Sequence, residues 1–326
     1  MPKSKFVTDL EQGDRLNDFF MVVEKELRTF RNKPGNYLQV KVADKTGQLR
    51  VKIWEDADKV KNMFNKGDVV QIKGIIDTYE GNLEVSVVYT DMRVCHPSEY
   101  DLEDYYPKTE KDVDELASKM ESAVAKFKNK HLKALMEKVF SDKEFMAEFK
   151  KCPAAKVHHH AYIGGLIEHT YGVVLICKTL SSIFPELDPE LLMTGAMLHD
   201  IGKTSSYSLK AGIDITPEEG LKGHVLMGYE IVKEKIMQLP DFPDELKNRL
   251  LHLILAHHDK LEWGSVVRPR FSEAYALHIA DYADSQVKEF IKVEKEEQEK
   301  ERYDVWGAYS RRFERFLYLG PVDGND

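Results

Sequence analysis

The 326-residue chain is poor in cysteine. Cys95, Cys152 and Cys177 are odd in number and far apart, a set that builds neither a disulfide framework nor a zinc knuckle and suits a reducing compartment. No apolar run approaches the roughly 20 residues that span a bilayer. The opening residues, MPKSKFVTDLEQGDR, lack the apolar stretch of a secretion signal. These absences lead us to expect a cytoplasmic protein with no membrane partner. Excess basic charge is missing too: the formal net charge is -9, which argues against a protein that coats nucleic acid with a basic surface. Neither a GxSxG nucleophile turn nor a GxxxxGK[ST] phosphate loop occurs. The closest stretch, HDIGKTSS at 199–206, lacks the upstream glycine.

What is present is a globular composition, 42% hydrophobic and 32% charged, with enough chain for two domains and a sizeable core. The charge is uneven. Residues 1–95 carry 16 Lys/Arg against 15 Asp/Glu, and the remainder 31 against 41. If nucleic acid is touched, the first part is the place to look.

That first part alternates with period two. In YLQVKVADKTGQLRVKIWED, Leu38, Val40 and Val42 share one face, as do Leu49, Val51 and Ile53 across a turn. A long strand precedes this hairpin. A short helix ending near Gly67 follows it, and then two more strands joined at Gly81-Asn82. Five strands with a helix between the third and fourth is the order of an OB-fold β-barrel, so residues 1–95 are expected to form one. With the aliphatic residues inside, Tyr37, Lys41, Arg50, Lys52 and Trp54 point outward. Aromatics interleaved with cations on strands two and three suit a single strand, bases stacking on the rings and cations tracking phosphates. The competing reading is an ordinary solvated face with Trp54 tucked against the small helix.

Residues 96–112 are polar and acidic with no period and read as a linker. Helical spacing then dominates: a connector over 113–155, an all-α bundle over 156–290, and a charged helical tail over 291–326. In the tail Trp306, Tyr309, Phe313 and Phe316 recur at helical spacing. Such a row packs on a neighbour, within the chain or in a homo-oligomer.

Ten of the twelve histidines lie between 158 and 278. They extend the apolar stripes of separate helices: His169, then His199-Asp200 ending DPELLMTGAMLHDIGK, then His224, then His257-His258, then Asp281. Burying one such group without a partner costs about 1–3 kcal/mol, and burying several on converging helices calls for a cation. Imidazole and carboxylate donors without thiolate favour Mn²⁺, Fe or another six-coordinate metal over structural zinc. Asp200 could bridge two ions. Lys203, just after the pair, could neutralise a substrate phosphate, and one of His158, His159 and His160 could touch it, His160 being our choice. His278 is expected to support Asp281.

The order His…His-Asp…Asp at His169, His199, Asp200 and Asp281 resembles the HD-domain superfamily of metal-dependent phosphohydrolases. His224, His257 and His258 are similar to the extra ligands of its two-metal branch. The arrangement of the whole chain resembles the YhaM family of 3′-to-5′ exoribonucleases, which join an OB-fold to an HD domain. The segments that carry this likeness are FRNKPGNYLQVKVADKTGQLRVKIWE, HHAYIGGLIEHT, GAMLHDIGKT, LKGHVLMGYEIV, LILAHHDKLEWGS and ALHIADYADSQ. The resemblance implies His169, His199, Asp200 and Asp281 on a first ion and His224, His257 and His258 on a second, with Asp200 shared. It implies Mn²⁺, with Fe, Co or Mg as alternatives. It implies removal of nucleoside 5′-monophosphates from single-stranded RNA, with single-stranded DNA open as a second substrate. The alternative is a nucleotide or cyclic-dinucleotide phosphohydrolase whose barrel serves assembly or regulation. The related cyclic-dinucleotide enzymes carry Gly-Tyr-Pro after the His-His segment, where this chain reads HHDKLEWGSVVRP.

Overall fold

The computed structural model describes residues 3–30, 33–79, 81–156, 160–209, 213–298 and 305–321. It divides into two compact units, residues 1–110 with 207–216, and residues 111–206 with 217–326.

The first unit is the expected OB-fold barrel. Strands β1 (Arg15–Thr29), β2 (Asn36–Asp44) and β3 (Gly47–Ile53) form a meander. A single helical turn, α1 (Ala57–Val60), leads to β4 (Val69–Tyr79), β5 (Asn82–Val87) and the short β6 (Met92–Val94). Closure uses an antiparallel β1–β4 pairing and a parallel β3–β5 pairing. One strand serves both neighbours because β1 carries a bulge between Val22 and Glu24. The extra residue bends the strand, so its first half faces β4 and its second half β2. The aliphatic alternation meets across β2 and β3 as Leu38 with Ile53, Val40 with Val51 and Val42 with Leu49, all buried. Gly74 makes the closure possible: a Cβ there would stand 2.4 Å from Val85 Cγ2.

All but the last two residues of the expected linker, 96–110, belong to this unit. The Lys45 amide donates to the Asp104 carbonyl, Tyr105 and Tyr106 are buried, and the Tyr106 hydroxyl donates to the Leu209 carbonyl. Two tyrosines in an acidic stretch without periodicity supply the apolar area that anchors it. Leu209 directly follows β7 (Tyr207–Ser208), which pairs with β8 (Asp214–Ile215); both strands are contributed from within the helical sequence.

The second unit is helical, in the order α2 (Val113–Val124), α3 (Lys130–Phe140), α4 (Lys143–Lys151), α5 (Gly165–Ile183), α6 (Pro189–Leu198), α7 (Pro217–Lys222), α8 (His224–Met237), α9 (Asp244–Ala256) and α10 (Ser272–Gln298). The carboxylate of Asp188 caps α6 by accepting from the amides of Glu190 and Leu191, ahead of Pro189 at the first turn. No helix among the described residues is long and apolar enough to cross a membrane. The tail departs from expectation. Helix α10 runs through residue 290, and β9 (Trp306–Ser310) and β10 (Arg315–Tyr318) then form a hairpin. The aromatics read as a helical row pair across strands instead, Trp306 with Tyr318 and Tyr309 with Phe316. The alternation that fits a strand was masked because spacings of three and four also fit a helix. Leu317 and Leu319 are the buried residues of this hairpin.

Candidate metal centre and nucleic-acid face

Five helical segments deliver the clustered side chains. His169 lies on α5, and His199 and Asp200 follow the end of α6. His224 opens α8, His257 and His258 follow the end of α9, and Asp281 sits on α10. The turn after Asp200 lies against α8 so closely that a Cβ on Gly202 would stand 2.0 Å from the His224 carbonyl oxygen. Glycine at 202 is what lets Asp200 and His224 share a site.

Ligand-type atoms of His169, His199 and Asp281 lie within 4.8 Å of one another, as do those of Asp200, His224, His257 and His258. Asp200 faces both groups. Its Oδ2 is 3.5 Å from His169 Nε2 and 3.3 Å from His199 Nε2. Its Oδ1 is 3.5 Å from His224 Nε2 and 3.6 Å from His257 Nε2. His169 Nε2 also stands 3.2 Å from Asp281 Oδ1 and 3.2 Å from His199 Nε2.

Outer partners orient these rings. His199 Nδ1 donates to the Ala196 carbonyl at 2.8 Å and His257 Nδ1 to the Ile254 carbonyl at 2.7 Å. A carbonyl can only accept, so the proton lies on Nδ1 and the Nε2 lone pair faces the cluster. Carboxylates do the same elsewhere: Asp284 Oδ2 is 2.7 Å from His169 Nδ1, and Glu219 Oε1 is 3.3 Å from His224 Nδ1.

The fit to divalent ions can be tested on the atoms themselves. Asp200 Oδ1, His224 Nε2, His257 Nε2 and His258 Nδ1 are all buried with no hydrogen-bond partner. Four orphaned acceptors in one place would cost several kcal/mol without a ligand. A cation satisfies all four at once, and the nitrogen–oxygen donor set suits a hard or borderline divalent metal. The electrostatics agree. Burial would raise the Asp200 carboxyl, yet Lys203, His199 and His169 hold it well below the carboxylate range. Asp281 is likewise held low against its burial, chiefly by His169 and His199. Burial drives His257 down and His258 down to about 2, so both stay neutral and able to coordinate. His169 differs: burial disfavours its charge, but Asp200, Asp281 and Asp284 together hold its pKa well above normal, so an ion bound there would have to displace a proton.

Three expectations change. Lys203 Nζ donates to Asp200 Oδ2 at 2.6 Å, so its partner here is the candidate ligand itself and not open space for a phosphate. His160 is not free for substrate: Nδ1 meets the Tyr162 hydroxyl at 2.8 Å and Nε2 meets Asp284 Oδ2 at 3.0 Å. His158 and His159 lie outside the described residues. His278 supports a different residue, its Nδ1 donating to the His257 carbonyl at 2.9 Å. Asp284 and Glu219 were missed as site residues. Asp284 carried a signal, one helical turn beyond Asp281, while Glu219 had none.

On the barrel, Tyr37 and Trp54 meet with centroids 4.9 Å apart. Phe30, unnoticed in the sequence, stacks 6.1 Å from Trp54. Trp54 is 41% exposed and its Nε1 donates to Ser86 Oγ at 3.1 Å, so it leans on aromatics and not on the small helix. Two of the expected cations are paired, Lys41 with Glu24 at 2.8 Å and Lys52 with Glu84 at 2.7 Å. Arg50 makes no ion pair among the described residues. Lys33 and Tyr79 extend the face, Lys33 Nζ 4.2 Å from the Phe30 centroid and Lys52 Nζ 4.6 Å from that of Tyr79.

Comparison with known proteins gives one match over the barrel and one over the metal-centre helices. Residues 166–286 match the family model of the HD domain, and residues 21–94 that of the OB-fold nucleic acid binding domain. Among solved structures, the chain is similar to the replication factor A related protein from Methanobacterium thermoautotrophicum. The two are 27% identical with a TM-score of 0.25, over 29% of this chain and 93% of that one. A domain of replication protein A from Methanococcus maripaludis is 21% identical with a TM-score of 0.24, over 30% of this chain and 99% of that one. The HD domain of the L. monocytogenes phosphodiesterase PgpH is 17% identical with a TM-score of 0.32, over 48% of this chain and 80% of that one. The protein thus joins an OB-fold nucleic-acid-binding domain to an HD-type, metal-dependent phosphohydrolase domain.

Proposed function

We propose that the protein is a 3′-to-5′ exoribonuclease that trims single-stranded RNA, and single-stranded DNA as a second substrate, to nucleoside 5′-monophosphates with two divalent ions, Mn²⁺ foremost. The observation that carries this reading is the two-sided placement of Asp200, one oxygen toward His169 and His199, the other toward His224 and His257. On this reading His169, His199 and Asp281 hold one ion, His224, His257 and His258 the second, and Asp200 both. Ions so held supply electrophilic activation of a phosphodiester and a nucleophile derived from water at neutral pH. The chain's own groups do the rest. Lys203 fixes the Asp200 carboxylate and offsets its charge. The Ala196 and Ile254 carbonyls and Asp284 hold the imidazoles with Nε2 facing inward. Phe30, Tyr37 and Trp54 offer stacking faces to bases, with Lys41, Arg50 and Lys52 beside them for phosphates.

Incubating 5′-labelled RNA with the protein and Mn²⁺ should give a ladder shortening from the 3′ end, abolished by chelator. Phosphate or pyrophosphate released from free nucleotides, with RNA untouched, would replace this reading with a nucleotide phosphohydrolase.

A further inference from the structure

Beside the buried cluster stands an exposed pair of rings. Trp263 and Tyr282 stack with planes 2° apart and centroids 5.6 Å apart, and each is 43% exposed. Both are tied to the metal centre. Trp263 ends the turn Leu261–Trp263 that follows His258. The next residue, Gly264, at φ +89°, lies where a Cβ would be 3.9 Å from His258 Nδ1. Tyr282 directly follows Asp281 on α10. Lys260 Nζ lies 4.1 Å from the Trp263 centroid. The row continues along α10 through His278, 6.0 Å from Tyr282, to the exposed Tyr275, 6.2 Å from His278. Tyr275 in turn lines a groove of about 830 Å³ with Arg270, Phe271 and Ile279.

Two large rings held parallel in water leave apolar faces exposed that inward packing would bury. Their offset stacking keeps them rigid. A rigid aromatic shelf with a cation beside it takes a nucleobase and its adjoining phosphate without regard to sequence. Its position, flanking His258 on one side and Asp281 on the other, puts such a base next to the candidate ions. We propose that Trp263 and Tyr282 form a nucleobase platform for the 3′-terminal residues of a single strand, with Lys260 meeting the neighbouring phosphate. The inference rests on the exonuclease reading and adds where the end of the strand lies. A duplex, whose bases are already stacked and paired, gains nothing from the platform.

The double variant Trp54→Phe/Trp306→Phe leaves Trp263 as the single tryptophan. It is titrated with a short oligouridylate carrying phosphorothioate linkages at its 3′ end, with and without Mn²⁺. Anisotropy of an end-labelled strand fixes saturation on parallel samples. Stacking predicts a loss of Trp263 emission with the single strand and none with a blunt duplex. In the otherwise native chain, Trp263→Ala or Tyr282→Ala should weaken strand binding about tenfold and leave the bound-metal content unchanged. Unchanged emission at saturation, or unchanged affinity in both alanine variants, overturns the platform while leaving the exonuclease reading in place. A native chain that binds no single strand at all brings down both, a result distinct from a strand that binds without touching Trp263.

Discussion

The barrel face and the metal centre are built on opposite terms. On the barrel most of the polar groups already have partners: Lys41 has Glu24, Lys52 has Glu84, and the Trp54 ring nitrogen has Ser86. Trp54 and the Lys41 side chain are exposed, so a ligand there competes with water and with existing partners, and a contact to an exposed charge such as Lys41 is worth little. In the metal centre the groups are buried, and four of them have no partner. There an ion finds four atoms that nothing else satisfies, and displaces the contacts around His169 and the Lys203 bond to Asp200. The difference teaches where the protein depends on its ligand: the barrel is complete without one, and the helical unit is not.

The largest effect expected from this contrast is at Asp200. Asp200→Ala removes the carboxylate that faces both groups, so bound metal, measured by elemental analysis, should fall from two ions toward none and turnover should fall to background. Retention of two ions with full activity would break the contrast at its root. Asp284→Asn comes next. It keeps the shape but weakens the acceptor for His169 Nδ1, and the loss of such outer partners costs about 10–100-fold in metal affinity or activity. A metal titration by calorimetry checks it, and an unchanged affinity would reduce Asp284 to a packing residue.

The barrel was legible in the sequence because its core is local. Leu38, Val40 and Val42 alternate within five residues, and their partners Leu49, Val51 and Ile53 follow one turn later, so period two alone assigns the inside. The metal centre was legible by another route, since polar residues sat where apolar stripes required apolar ones. That logic reached His169, His199, His224 and Asp281. It failed where a side chain's partner is set by backbone placement. Nothing in the sequence brings Glu219 to His224 or turns His160 toward Asp284. It also failed at the tail, where spacings of three and four in Trp306, Tyr309, Phe313 and Phe316 fit helix and hairpin alike, and at 96–112, where Tyr105 and Tyr106 bury themselves in a segment that otherwise reads as solvated.

Divalent ions should stabilise the helical unit through mass action, by about 2.7 kcal/mol at a hundredfold excess over Kd. For a unit of this size that is a rise in Tm of roughly 5–10 °C. Chelator should reverse it, while a barrel melting signal reported by Trp54 in a Trp263→Phe/Trp306→Phe background should not move. A barrel transition that tracks the ion as closely as the helical one would erase the distinction between the two regions.

The smallest effects belong on the barrel. Trp54→Ala removes one ring from the Phe30–Tyr37–Trp54 cluster, and loss of a stacking face costs about 1–3 kcal/mol per base, so KM for RNA should rise while metal content stays constant. Lys41→Ala should do less still. Its ammonium already sits 2.8 Å from Glu24, so a phosphate gains only what that exposed pair gives up. The expected result is a fall of at most about one in the slope of log affinity against log salt, with little change at physiological ionic strength. A Lys41→Ala loss as large as that of Trp54→Ala would mean that Glu24 releases the lysine to the strand, and that the pairing seen on this face belongs to the free protein alone.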